Sequence, residues 1–318
     1  MKSILKLFVV MLTFVACKRQ DLVYDYESTT RVTVHVDWGD IFTPNERPTG
    51  VSVWFYPSEG KKPIKKLSSN IDSVQVYLPA GRYDVVVFNQ APSDFRDEID
   101  FVGTDKLSTL EVRASLAPSK SWFANKDLGK VYVCPPVFAT EVYRDLIISE
   151  VDAESKKELS IIVAPKKITK SARIIVRMSG IDYVRSGRGV VSNMSQGYLI
   201  GKEEYSTVSR SMLENWDTRS TQNDGEMFVY FNTFGIHNIQ DSESWNSKLQ
   251  LQMLLVDNQT IKNLSLPIDD NHLVDTDEEL DIEIDINTII IVPPVEPDGG
   301  SGFDPSVDDW GDEDNVEM

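Results

Sequence analysis

The chain has 318 residues, with 32 Lys and Arg against 50 Asp and Glu and a formal net charge of −18. The excess is local: residues 269–318 hold 18 acids and no Lys or Arg, which leaves 32 acids against 32 bases elsewhere. A chain with no basic stripe to neutralise phosphates is excluded as a nucleic-acid binder, and the acidic end reads as a separate element, a solvated tail or a partner contact.

Lys2 and Lys6 precede an apolar run from Leu7 to Ala16. Ten residues fall short of the roughly 20 needed to cross a bilayer, and a basic start followed by a short apolar stretch and a small residue is the pattern of an export signal. Phe14-Val15-Ala16-Cys17 then resembles the lipobox of bacterial lipoproteins, which predicts a signal over 1–16 and a lipid on Cys17. Two or more acyl chains make such an anchor stable where one does not. With Cys17 lipidated, Cys134 has no disulfide partner and is expected as a small buried apolar residue.

Beyond residue 22 the hydrophobic period is two almost throughout. Val32, Val34 and Val36 alternate in RVTVHVDW, VSVWFY repeats the pattern from Val51, and Ser73–Asn89 reads as two strands joined across Pro79-Ala80-Gly81. LSTLEVRAS and KVYVC add short strands. A charged patch, Glu150 to Glu158, precedes ELSIIVAPKKI, SARIIVRMSGI, EMFVYFNTF, KLQLQMLLVD, TIKNLSLP and ELDIEIDINTIIIV. Two short helices are expected, over Val137 to Ile148 and Lys202 to Asn215. Many short strands in two groups predict an all-β chain of two tandem β-sandwich domains, over 22–152 and 155–292, with a Gly/Pro/Asp-rich acidic tail at 293–318. In the last strand, Ile282, Ile284 and Ile286 should face one way and Asp281, Glu283 and Asp285 the other. The charge-free run Ile289 to Val292 should be covered, because such a run on an open edge invites aggregation.

Chemistry-bearing motifs are sparse. His35, His237 and His272 lie in unrelated segments without metal-ligand spacing, and His35 falls on the polar side of its strand. No nucleophile elbow, phosphate loop or dinucleotide fingerprint is present, and Ser186–Gly189 reads as a hairpin turn. The acids of Asp275–Asp285 lack the glycine bend of a calcium loop. No catalytic residue, cofactor or metal is therefore expected. Trp38 and Trp54 read as core, and an exposed row of aromatics would instead favour sugar stacking. Asp72-Ser73-Val74 resembles the O-glycosylation acceptor triplet of Bacteroidetes.

Taken together, the lipobox at Cys17, VDW at Val36–Trp38, VWFYPSEG at Val53–Gly60, LPAGRYDVVVFN at Leu78–Asn89 and GGSGFDPSVDDW at Gly299–Trp310 resemble the Bacteroidales fimbrial anchor and minor-subunit lipoproteins. The resemblance implies two transthyretin-like sandwiches, an outer-membrane lipid anchor and a non-enzymatic role at a surface fimbria, with other fimbrial or surface subunits as partners. Only Cys17 is implied as a functional residue. Lys18-Arg19-Gln20 intervene before the first acid, Asp21, where surface-exported members carry acids at once, which leaves cell surface and periplasmic face both open. The expected mechanism is strand pairing with a partner; the alternative is a surface glycan-binding lipoprotein of a nutrient-uptake system.

Overall fold

The computed structural model describes residues 28–42, 47–95, 97–118, 130–155, 157–221, 224–237, 246–274 and 280–297. It is all-β, as expected, and the period-two segments are its strands. In the first part of the chain these are β1 (Thr29–Val36), β2 (Val51–Pro57), β3 (Ile64–Ser68), β4 (Ser73–Pro79), β5 (Gly81–Asn89), β6 (Ile99–Val102), β7 (Glu111–Ala114), β8 (Val131–Val133) and β9 (Ala139–Ile148). A short helix, α1 (Glu150–Ser155), leads to β10 (Glu158–Val163) and β11 (Lys166–Lys167). There follow β12 (Lys170–Ser179), β13 (Val184–Ser195), β14 (Gly197–Leu199), β15 (Glu204–Tyr205), β16 (Ser209–Thr221), β17 (Asp224–Thr233), β18 (Asn246–Leu255), β19 (Ile261–Asp269), β20 (Leu273–Val274) and β21 (Ile282–Ile291).

The N-terminal sandwich packs a three-stranded sheet, β10-β1-β4, on a five-stranded one, β11-β9-β5-β2-β3. Val32, Val34 and Val36 of β1, Val74, Val76 and Leu78 of β4 and Ile161 and Val163 of β10 form one wall of its core. Val51, Val53, Phe55, Val85 and Val87 form the other. The larger sheet is also covered on its second face. Trp54, Tyr56, Val86, Phe88, Phe138 and Val142 turn away from the first core into a second cluster with Phe95, Leu110 and Val112. All of Val51–Tyr56 is consequently buried, as befits the strand of a middle layer. Trp54 and Phe88 meet edge to face at 5.1 Å, and Phe95 and Phe138 at 5.6 Å.

The same cluster runs on without a break into the second half. There a nine-stranded sheet runs β19-β18-β13-β16-β17-β12-β21-β20, with β8 paired to β16. β16 changes partner along its length, from β13 to β17, so that the two arms share one core. Leu249, Leu251 and Met253 of one arm and Ile174, Val176 and Ile284 of the other belong to it. A four-stranded sheet, β15-β14-β7-β6, ties residues 197–205 to 99–114.

Three local expectations are corrected. Val137–Ile148 holds strand β9 from Ala139 onward, not a helix. A bulge at its pairing with β5, where Asp145 has φ +69°, shifts the alternation, so buried Phe138, Val142 and Leu146 recur every four residues and mimic a helical stripe. Lys202–Asn215 likewise contains β15 and the start of β16. Ser186–Gly189 is the middle of β13, flanked by β16 and β18, and not a turn. Its glycines are there for space: a Cβ on Gly187 would collide with Met227, and one on Gly189 with the Trp216 indole.

The charged patch is α1. Ser149 Oγ accepts a hydrogen bond from Asp152 N at 3.1 Å as an N-cap. α1 joins β9 to β10, which pairs in parallel with β1 over Arg31–Val36. The expected division between residues 152 and 155 thus falls between two strands of the N-terminal sandwich.

Candidate functional site

A chain that binds by strand pairing needs an open sheet edge, and several edges here are guarded. β3 carries exposed Lys65 and Lys66 at its edge, a common guard against unwanted pairing. The Lys65 ammonium sits 3.9 Å from the centroid of the Trp54 ring, and burial lowers its pKa. β11 is two residues long. β19 holds Pro267 opposite Lys248, which removes one donor. β4 ends in Pro79, and its outward face presents Tyr77 and Gln75.

β21 differs. It lies parallel to β12, with Ile284 opposite Ile174 and Ile286 opposite Val176. Ile284 and Ile286 are buried, as the alternation predicts. The carboxylates of the wet face are each met by a cation from the neighbouring strand. Glu283 accepts from Arg173 Nη2 at 2.7 Å, Asp285 from Arg177 Nη2 at 2.8 Å, and Asp281 from Lys170 Nζ at 3.3 Å and Ser171 N at 2.8 Å. A row of acids so matched is a cross-strand ion-pair ladder. Among the described residues no group of three or more potential metal ligands converges.

Past Ile286 the character changes. The register slips between Val176 and Met178, so that Ile290 pairs with Met178, and Asn287, Thr288 and Ile289 bulge outward. Ile289 is 62% exposed and Ile291 78%. β20 covers β21 only at Glu283 and Ile284; from Asp285 onward no described strand occupies that side. The run expected to be covered is therefore split: Ile289 and Ile291 stand open, while Ile290 is half-buried against the core and Val292 is buried, its N–H closing on Ser179 O at 2.9 Å. Ile289 also borders a groove of about 340 Å3 with Arg177, Met178, Arg219, Asp224, Gly225 and Glu226.

His35 is exposed on β1. His272 closes a capping box with Asp269, Nδ1 to Oδ1 being 2.9 Å. Cys134 is half-buried against the core, its thiol hydrogen-bonded to Leu213 O at 3.6 Å, and burial raises its pKa well above the ordinary value. Beside it burial pushes up the carboxyl of Glu214 as well. Trp38, Trp54 and Trp216 are all buried, so none joins an exposed aromatic row. Ser73 is half-buried at the start of β4, its hydroxyl accepting from Asn70 Nδ2 at 3.1 Å. Cys17, the signal over 1–16, Trp310 and the tail beyond Pro297 lie outside the described residues. The bulge in β21 is what sequence reasoning missed; Asn287-Thr288, polar residues between two isoleucine runs, are its trace in the sequence.

Comparison with known proteins bears on this geometry. The chain is 26% identical over 340 residues to the "Putative fimbrium anchoring subunit Fim4B" of Bacteroides ovatus, covering 97% of this chain and 95% of that protein. The likeness to Bacteroidales fimbrial anchor proteins expected from the motifs is thus found along nearly the whole chain. A solved structure of a "putative adhesin" from the same species superposes with a TM-score of 0.60 at 21% identity, over 88% of this chain and 98% of that one, and shows the fold to be shared. Residues 16–214, well over half of the sequence, match the family model described as "Domain of unknown function (DUF5119)", and the chain belongs to that family.

Proposed function

We propose that this protein is a non-enzymatic, lipid-anchored subunit of a fimbria-like surface polymer, acting as its anchor or an accessory, and that it pairs with another subunit along the second half of β21. The observation that carries the reading is that edge: charge-free from Asn287 to Ile291, exposed at Ile289 and Ile291, and hydrogen-bonded through β12 on one side. A partner strand laid there would gain affinity from main-chain hydrogen bonds and register from the isoleucines. The fimbrial name of the full-length relative supports the same reading. Cys17, thioether-linked to lipid, would hold the chain in the outer membrane, on its surface or periplasmic face. The two sandwiches would be 22–152 and 155–292, with the second segment lending β10 and β11 to the sheets of the first.

The test is the double variant Ile289→Lys, Ile291→Lys. Both side chains point largely into solvent, so the variant should fold with unchanged thermal stability and fail to recruit the subunits that the wild type captures in cross-linked whole cells. Equal recruitment by the folded variant would remove β21 from the mechanism. Separately, Cys17→Ala should leave the membrane fraction and lose labelling by a palmitate analogue; continued labelling would overturn the anchor.

A further inference from the structure

A second feature lies away from β21, where β13, β16 and β8 meet. Between Val191 and Met194 the pairing of β13 with β16 is broken by a bulge in which Asn193 takes φ +62°. β8 runs beside β16 on the other side, with Tyr132 opposite Met212. The strands part around an open cleft of about 650 Å3 bordered by Lys130, Tyr132, Ser192, Asn193, Ser209, Arg210 and Ser211.

The chemistry of this lining is unlike the rest of the molecule. No carboxylate is among the described residues that border it, while Lys130 and Arg210 both do. Seven other arginines are matched to acids: Arg31 to Glu158, Arg82 to Asp145, Arg113 to Glu111, Arg144 to Glu203, Arg173 to Glu283, Arg177 to Asp285 and Arg219 to Glu226. Arg210 has no such acid among the described residues. Its guanidinium lies 5.2 Å from the centre of the Tyr132 ring, and its Nη1 donates to Ser209 O at 2.9 Å. Its Nε is buried without an acceptor, as are those of Arg31, Arg113 and Arg173, so the face left for a ligand is that of the two Nη groups. A half-buried guanidinium fixed against an aromatic ring is pre-organised for a planar anion. Ser209 and Ser211 flank it in sequence on β16 and also border the cleft, and exposed Lys130 adds a second positive charge at the mouth.

We propose that this cleft binds an anionic sugar residue, one whose carboxylate or sulfate pairs with Arg210 and Lys130 and whose hydroxyls meet Ser209, Ser211 and Asn193. The anion supplies the acidic partner that Arg210 lacks among the described residues, and the volume admits one or two pyranose rings. Tyr132 is buried beneath Arg210, so recognition here is by charge and hydrogen bonds and not by ring stacking. The site is independent of strand pairing at β21.

The experiment titrates the full chain calorimetrically with three probes: a galacturonic acid trisaccharide, a sulfated heparin disaccharide and the neutral sugar galactose. Binding of either acidic probe, with galactose at least tenfold weaker, is expected. Whichever acidic probe binds identifies the anion as carboxylate or sulfate. Arg210→Gln should lose at least tenfold in affinity. Lys130→Glu, at an exposed position where folding is not at stake, should lose several-fold and become less salt-dependent. The proposal is overturned if neither acidic probe binds at millimolar concentration, if both folded variants bind as the wild type does, or if inorganic sulfate competes as well as the sugar, which would mean an adventitious ion only.

Discussion

Asn89 holds both backbone groups around residue 138: its Oδ1 accepts from Ala139 N at 2.8 Å, and its Nδ2 donates to Val137 O at 3.0 Å. The side chain is wholly buried at the end of β5, where β9 begins to pair. Thr169 Oγ1 accepts from Phe138 N at 3.0 Å, and Phe138 O accepts from Ile168 N at 2.8 Å, so side chains supply the bonds that the short β9–β11 pairing leaves unmade. Asn89→Leu keeps the branched shape and removes both bonds. Leaving two buried backbone groups unpaired costs about 1–3 kcal/mol each, and the urea midpoint should fall accordingly, with an unchanged denaturant slope.

Ile284 and Ile291 lie on one strand in opposite environments, 0% and 78% exposed. Ile284→Ala opens a cavity in the second core and should lose about 2–5 kcal/mol. Ile291→Ala should stay within about 0.5 kcal/mol of wild type. Equal losses in thermal unfolding would show that the end of β21 is covered in solution.

Gly189→Ala should lower stability by about 1–3 kcal/mol, since the new methyl must displace the buried Trp216 indole. Tryptophan fluorescence should shift with it. A variant as stable as wild type, with unaltered emission, would mean that β13 and β16 are further apart than described.

Burial raises the pKa of Glu214, and the neighbouring Glu98 adds to the effect. A carboxyl whose folded pKa lies above its unfolded one favours folding in its protonated form. Its contribution is fully present below the ordinary carboxylate range and is lost as pH rises through the folded pKa. Glu214→Gln, neutral at every pH, should therefore gain stability relative to wild type as pH climbs from 4 to 8. A difference that stays flat over that range would show the carboxyl to be solvated.

Cleavage between Asp152 and Lys157 should occur first under limited proteolysis within 28–297, because α1 is short and exposed on most of its length. The two fragments should nevertheless elute together, held by β1–β10 pairing and by the sheet joining β7 to β14. Separation into two folded fragments without denaturant would show that these pairings are weak.

Strand identity was legible wherever one face is wet. Val32, Val34 and Val36 on β1 and Ile282, Ile284 and Ile286 on β21 alternate because the opposite face meets solvent or charge. Legibility failed where both faces are buried or the ladder bulges. Val51–Tyr56 is apolar throughout and hides which core each side chain enters. Asp145 resets the alternation in β9, and the slip after Ile286 turns outward a run that composition alone would bury. The Arg210 cleft left no trace, because YSTVSRSML has a helix-like spacing and the missing carboxylate is visible only in three dimensions.

The parallel pairings of β1 with β10 and of β21 with β12 have a mechanical consequence. β1 is bonded along its length to β10 over six register pairs and to β4 over seven, and β21 to β12 over seven. Inter-strand hydrogen bonds lie broadly across the strand direction. Tension applied before Thr29 and after Ile291 would drag each of these strands lengthwise past its neighbours, so that many bonds must yield together instead of peeling one at a time. Survival under such a pull is set by the unfolding rate and not by equilibrium stability. A domain of only ordinary stability, loaded in this direction, would give way slowly, while the same force applied across β21 would strip it from the sheet one bond after another.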